Sequence, residues 1–192
     1  MSALPFHTER LTISPLTAAD RDAFVAYRDN PDIARHQGWG IPYTAEDADA
    51  LLARQPTSFP PPPGTWLQLA IHGPPSLTGI PTLLGDLAVH TVADQPALYE
   101  IGITIAAPAQ RAGIGAEALA AILDALFACG AHRVIAQSDV HNPAVGGLLR
   151  KAGFTLEGTA READWHKGAW VTVQHWGVLR RDREGEGREG HA

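Results

Sequence analysis

The residues best suited to chemistry cluster between Glu100 and Ala128. Ile101, Ile103, Thr104 and Ile105 form a β-branched run that reads as a strand, and Pro108 stops it. The loop Gln110-Arg111-Ala112-Gly113-Ile114-Gly115 then opens a helix whose Leu119, Ile122, Leu123, Leu126 and Phe127 recur at helical spacing. Strand, glycine loop and helix in that order gather backbone N–H groups and a helix N-terminus at one point, which attracts phosphate or pyrophosphate. Glycine at 113 and 115 keeps side chains out of the anion's approach, and Arg111 can add a charge-assisted contact. Taken alone, the two glycines fit a tight turn equally well.

The rest of the chain must position that loop. Arg10 to Pro15 alternates as a strand, and Thr17 with Asp20 caps a helix carrying Phe24, Val25 and Tyr27. Asn30-Pro31 ends that helix, a helical turn follows at Asp32 to His36, and Thr44 caps another helix that runs through Asp47 to Arg54. Pro60 to Pro63 with Gly64 reads as a stiff surface connector. Trp66 to Ile71, Leu83 to His90 and Leu98 to Ile105 are strands joined by short turns, the first at His72-Gly73-Pro74-Pro75, so an antiparallel meander is expected. Gly130 ends the long helix, and His132 to Gln137 is the next strand, parallel to Leu98 to Ile105 because a helix separates them. Asn142-Pro143 starts a helix with Val145, Leu148 and Leu149 inward and Gly153 at its end. Thr155 to Asp164 and Trp170 to Leu179 form a hairpin that turns at Lys167-Gly168. Residues 1–8 are expected to be a loose arm, residues 8–180 one domain, and residues 181–192, which lack hydrophobic content, a disordered tail.

Composition narrows the classes. A chain of 192 residues, 45% apolar and 19% charged, suits one soluble domain. A net charge of −6 argues against a nucleic-acid binder and favours cationic partners such as amines or basic peptides. The single cysteine, Cys129, cannot form an internal disulfide and is expected to be a buried, inert thiol. No apolar run reaches the roughly 18 residues of a membrane span, and no secretory signal opens the chain, so a cytoplasmic location without membrane contact is expected. His132, His141, His166 and His175 lack metal-ligand spacing, and no metal is expected.

Three segments together resemble the GCN5-related N-acetyltransferase (GNAT) superfamily, in particular the branch containing the ribosomal-protein N-terminal alanine and serine acetyltransferases. Thr8-Glu9-Arg10-Leu11-Thr12-Ile13-Ser14-Pro15-Leu16 is similar to that branch's first strand. Gln110 to Gly115 fits the superfamily's pyrophosphate loop, and Asn142 through Lys151-Ala152-Gly153-Phe154 is similar to its later helix and exit. The resemblance implies an α+β fold: a mostly antiparallel twisted sheet with one splayed parallel strand pair, flanked by helices. It implies acetyl-CoA as co-substrate, transfer of acetyl to a primary amine in a ternary complex, and a protein N-terminus or a small molecule as acceptor. The pyrophosphate would meet Gln110, Arg111, Ala112, Gly113, Ile114, Gly115 and Ala116; the pantetheine arm would pair with Ile103, Thr104 and Ile105 like an added strand, and Asn142 would bond the arm. A monomer or a homodimer suits such a protein.

Acyl transfer needs a base for the amine. Glu100 is the first candidate because it begins the strand bordering the thioester; Asp86, His90, Asp139 and His141 are lesser ones. The family's usual tyrosine acid falls at Leu149, its serine at Val145 and a glutamate at Gln137, so no familiar acid–base set is present. The Trp39 loop and the Trp165-His166-Lys167-Gly168 hairpin would border the acceptor cleft, and Trp165 and Trp170 are expected as its walls or as core. Two other functions fit part of the pattern. Gly113-x-Gly115-x-x-Ala118, with Asp139 ending the next strand, matches a nicotinamide or flavin dinucleotide site. The missing tyrosine and serine suit a non-catalytic acyl-CoA sensor or scaffold.

Overall fold

Local signals set the element boundaries, and a computed structural model describes residues 4–74 and 83–185. The chain runs β1 (Phe6–His7), β2 (Thr12–Pro15), α1 (Arg21–Arg28), α2 (Pro31–Ala34), α3 (Ala45–Ala53), β3 (Trp66–His72), β4 (Leu83–Thr91) and β5 (Leu98–Ile105). It continues with α4 (Ile114–Ala128), β6 (Arg133–Asp139), α5 (Pro143–Lys151), β7 (Thr155–His166), β8 (Ala169–Leu179) and α6 (Arg180–Gly185). Reciprocal capping boxes at Thr17/Asp20 and Thr44/Asp47 start the first helical stretches as the sequence predicts. Lys167 and Gly168 both take positive φ (48° and 86°), the backbone that a tight β7–β8 hairpin needs. The turn expected at His72 to Pro75 runs into residues outside those described.

The strands form one eight-stranded sheet in the order β1-β2-β3-β4-β5-β6-β8-β7. Only β5 and β6 are parallel within it. This arrangement is the mixed sheet expected from the sequence. It overturns the dinucleotide alternative, which needs an alternating strand–helix series and a parallel sheet. Side chains alternate across the sheet between two buried clusters. Leu67, Leu69, Leu87, Val89, Ile101 and Val134 pack with α4 on one face. Ala70 and Leu83 pack with Phe24, Tyr27 and Tyr43 from the α1–α3 side on the other.

One feature of the sheet shapes the site. β5 and β6 pair at only three rungs, Leu98↔Arg133, Tyr99↔Val134 and Glu100↔Ile135. Beyond Glu100, β5 stays with β4 as far as Gly85↔Ile105, while β6 stays with β8 as far as Asp139↔Val173. The two strands therefore diverge, and the backbone of Ile101 to Ile105 has no strand partner on its β6 side.

The C-terminal expectation needs correcting. Arg180–Gly185 is helical, not disordered. The Leu179 N–H donates to Asp182 Oδ2 at 2.9 Å, and Arg180 Nε donates to the Ala131 carbonyl at 3.0 Å. These contacts dock the charged segment against the end of α4 and supply the order that hydrophobic residues do not. Residues 186–192 lie outside those described.

Candidate active site

The loop after β5 is held from three sides. A 3₁₀ turn at Ala107–Ala109 redirects the chain, and Gln110 Nε2 donates to the Ile105 carbonyl at 3.0 Å. Gly113 is the N-cap of α4 at φ +79°, the left-handed region that favours glycine. Among the described residues no side chain caps α4, so the N–H groups of its first turn remain available to an anion. Gly115 has a different reason to lack a side chain. A Cβ there would lie 3.0 Å from Leu148 Cδ2, so glycine lets α5 pack against the start of α4.

The third side is Arg10, for which the sequence suggested nothing beyond a strand. Its Nη1 donates to the Ala112 carbonyl at 3.0 Å and its Nη2 pairs with Glu117 Oε2 at 2.6 Å, while its backbone N–H donates to Glu117 Oε1 at 3.0 Å. Burial pushes the Glu117 carboxyl up, but the bonds from Thr8 and Arg10 outweigh it and hold the group below its ordinary range. The N-terminal segment thus clasps the glycine loop onto the first turn of α4.

A cavity of about 490 Å³ runs from this loop along the free edge of β5. It is lined by Ile103, Thr104, Ile105, Gln110, Arg111, Gly113, Ile114, Gly115, Ala116 and Asn142, the expected cofactor residues apart from Ala112, whose carbonyl faces Arg10. A smaller cavity of about 90 Å³ fills the floor of the splay, between Ile101, Gly102 and Ile103 on β5 and Ala136, Gln137 and Ser138 on β6. Asn142 borders both cavities and caps α5, its Oδ1 accepting from the Val145 N–H at 3.4 Å. Val145 and Leu149, where a serine or tyrosine acid would stand, add only apolar surface to the floor.

The titratable candidates separate clearly. Glu100 sits on the last paired rung, with its carboxylate 3.8 Å from His90 Nδ1, and lines neither cavity. His90 stacks on Trp66 at 4.7 Å between ring centroids. Asp86, 2% exposed, is tied to Tyr27, Gln68 and Arg28, the last at 3.1 Å. None of these carboxylates or imidazoles lines either cavity; Glu100, expected to begin the strand that borders the thioester, stands at the rung where β5–β6 pairing ends.

The groups that do line the floor are His36 and Asp139. His36 follows α2, lines both cavities, and its Nδ1 lies 3.2 Å from Asp139 Oδ2. Asp139 ends β6 and lines the floor. Burial pushes its carboxyl up, but the His141 N–H at 2.9 Å, His36 and the His141 ring together hold it below its ordinary range. His36 carried no sequence signal beyond a helical turn, because its partner is remote in the chain. The hairpin tip braces this end of α2: His166 Nε2 lies 3.3 Å from the Arg35 carbonyl, and Lys167 Nζ donates to the Ala34 carbonyl. Trp165 and Trp170 are neither core nor lining of these cavities; they stack edge to face at 5.3 Å and are 59% and 58% exposed. Trp39 packs inward, its ring 3.8 Å from the Arg28 guanidinium. Cys129 is half-buried against the core. Among the described residues no group of three or more His, Cys, Asp or Glu could hold a metal ion, and no helix is long and apolar enough to cross a membrane.

The fold has close counterparts. A GNAT-family acetyltransferase from Bacillus anthracis superposes with a TM-score of 0.80 over 93% of this chain and 99% of its own, at 20% identity. A spermidine N-acetyltransferase from Vibrio cholerae, in complex with CoA and spermine, gives a TM-score of 0.77 over 91% and 98%, at 18% identity. A ribosomal L7/L12 alpha-N-protein acetyltransferase in complex with coenzyme A gives 0.74 over 90% and 95%, at 17% identity. A search of curated proteins finds no match. The family model described as "Acetyltransferase (GNAT) domain" matches residues 10–155, and the chain belongs to that family of acetyltransferases.

Proposed function

We propose that the protein transfers the acetyl group of acetyl-CoA to a primary amine by direct attack in a ternary complex. The observation that carries this reading is the single cavity joining the uncapped N-terminus of α4 to the unpaired edge of β5. In it the pyrophosphate takes the N–H groups of residues 113–116 and the Arg111 charge, and the pantetheine arm takes the free backbone of Ile103 to Ile105. Asn142 bonds the arm where the two cavities meet. The thioester then enters the floor of the splay, where a β5 backbone N–H stabilises the oxyanion of the tetrahedral adduct. Positioning of the two reactants supplies much of the rate.

The acceptor is a cationic amine, either a peptide N-terminus or a small polyamine. A net charge of −6 supports this class, as do the acceptors in the names of two structural counterparts, spermidine and a ribosomal protein N-terminus. Turnover of acetyl-CoA is measured against panels of peptides and small amines, beside CoA binding by calorimetry. The proposal expects turnover with at least one amine, and Asn142→Ala weakening CoA binding. CoA binding with no turnover on any amine would favour the sensor reading, which the apolar Val145 and Leu149 at the floor support.

A further inference from the structure

We propose, building on that acetyltransferase reading, that His36 is the general base and that Asp139 is its positioning residue. Two requirements single out this pair: the base must border both the cofactor channel and the splay floor, and it must be held in one tautomer. His36 is the only imidazole among the described residues that lines both cavities. Its Nδ1 faces Asp139 Oδ2 at 3.2 Å, and a carboxylate can only accept, so Nδ1 carries the proton. In the neutral ring Nε2 is then the acceptor, and among the described residues it has no hydrogen-bond partner. Asp139 is itself fixed by the His141 N–H at 2.9 Å, which leaves its second oxygen for His36.

His36 is also braced from the opposite side. It lies just past α2, whose last carbonyls are held by Lys167 and His166 at the tip of the β7–β8 hairpin. The base therefore stands between the end of β6 and the tip of the β7–β8 hairpin, two elements far from it in sequence. The charged and titratable groups on the elements packed about the ring are Asp139 at the end of β6 and His141 just after it, Asp32 in α2 and Arg35 just past it, and His166 and Lys167 from the hairpin. Asp32 and Arg35 pair with each other at 3.2 Å, so neither competes for the imidazole.

The step balances without a further reagent. The ammonium first loses one proton to bulk water; the neutral amine nitrogen then attacks the thioester carbonyl carbon, forming the N–C bond, and the second proton it sheds passes to His36 Nε2. Collapse of the adduct breaks the C–S bond, and the departing thiolate takes a proton from the imidazolium directly or through water. His36 returns to its neutral form, and the products are the amide and CoA.

The test compares wild type, His36→Gln, His36→Ala, Asp139→Asn and Glu100→Gln on one accepted amine across pH, with CoA affinity and thermal melts as folding controls. His36→Gln should lower kcat by about 100-fold or more, the usual contribution of a general base, with CoA affinity kept. Imidazole added to His36→Ala should restore part of the rate. Asp139→Asn should cost less than His36→Gln and move the acid limb of the pH–rate profile, which a merely structural role would leave in place. Glu100→Gln should cost less than either. Full rate in a folded His36→Gln protein, or a loss in Glu100→Gln that exceeds it, overturns the assignment while leaving the acetyltransferase reading intact. No wild-type turnover with any amine overturns both.

Discussion

Replacing Asp86 separates a structural carboxylate from a catalytic one. Asp86 and Arg28 are 2% and 5% exposed and meet at 3.1 Å, with Tyr27 and Gln68 completing the carboxylate's bonds. The Arg28 guanidinium is also enclosed by the Phe24 and Trp39 rings at 4.1 and 3.8 Å, and among the described residues its Nε has no partner. Asp86→Asn leaves that cation buried without a counter-charge, a change that costs about 3–5 kcal/mol when one member of a buried pair is removed. For a domain of this size a loss of 1 kcal/mol lowers Tm by about 2–4 °C, so the expected drop is roughly 6–20 °C. The melting curve and a urea titration read the loss directly, and an unchanged m-value shows that the native state is still formed. Acetyl transfer measured well below the new Tm should stay within about threefold of wild type, since Asp86 lines neither cavity. The double variant Arg28→Met with Asp86→Leu removes both charges and should regain much of the lost stability. A stability loss under about 1 kcal/mol in Asp86→Asn would refute the reasoning, as would a double variant no better than the sum of the singles.

Arg10→Ala releases the Ala112 carbonyl and the Glu117 carboxylate; the pair is partly exposed, so a loss of about 1 kcal/mol is expected, seen as a roughly fivefold weaker CoA Kd by calorimetry. Stability should also fall in acid. The carboxyls of Asp20, Glu117 and Asp139 all sit below their unfolded values of 3.8, 4.5 and 3.8, so what they add is complete above those values and is lost as pH falls through the lower folded ones. Urea midpoints between pH 6 and pH 2 test this: wild type should lose stability below about pH 4, and Glu117→Gln should flatten part of that loss.

Much of the fold was legible in the sequence because its signals are local. The capping boxes at Thr17 and Thr44, the Lys167-Gly168 turn and the β-branched run of Ile101 to Ile105 each depend on residues a few positions apart. The glycine loop was legible for the same reason, and so was the crossover that makes β5 and β6 parallel. The chain's resemblance to its family then placed Ile103 to Ile105 and Asn142 beside that loop, and all of them line the same cavity.

The His36–Asp139 pair and the clasp on the loop are made only by tertiary structure. His36 meets Asp139 across 103 residues, Arg10 meets Glu117 across 107, and Arg28 meets Asp86 across 58. No periodicity or cap couples residues at such distances; the sheet order and the packing of α1 and α2 bring them together. Glu100 shows the same limit from the other side. The sequence put it on the correct strand, but only the end of β5–β6 pairing at its own rung decides that the splay opens beyond it. Local sequence therefore determined the glycine loop and the start of α4, and the divergence of two strands determined which side chains line the floor between them.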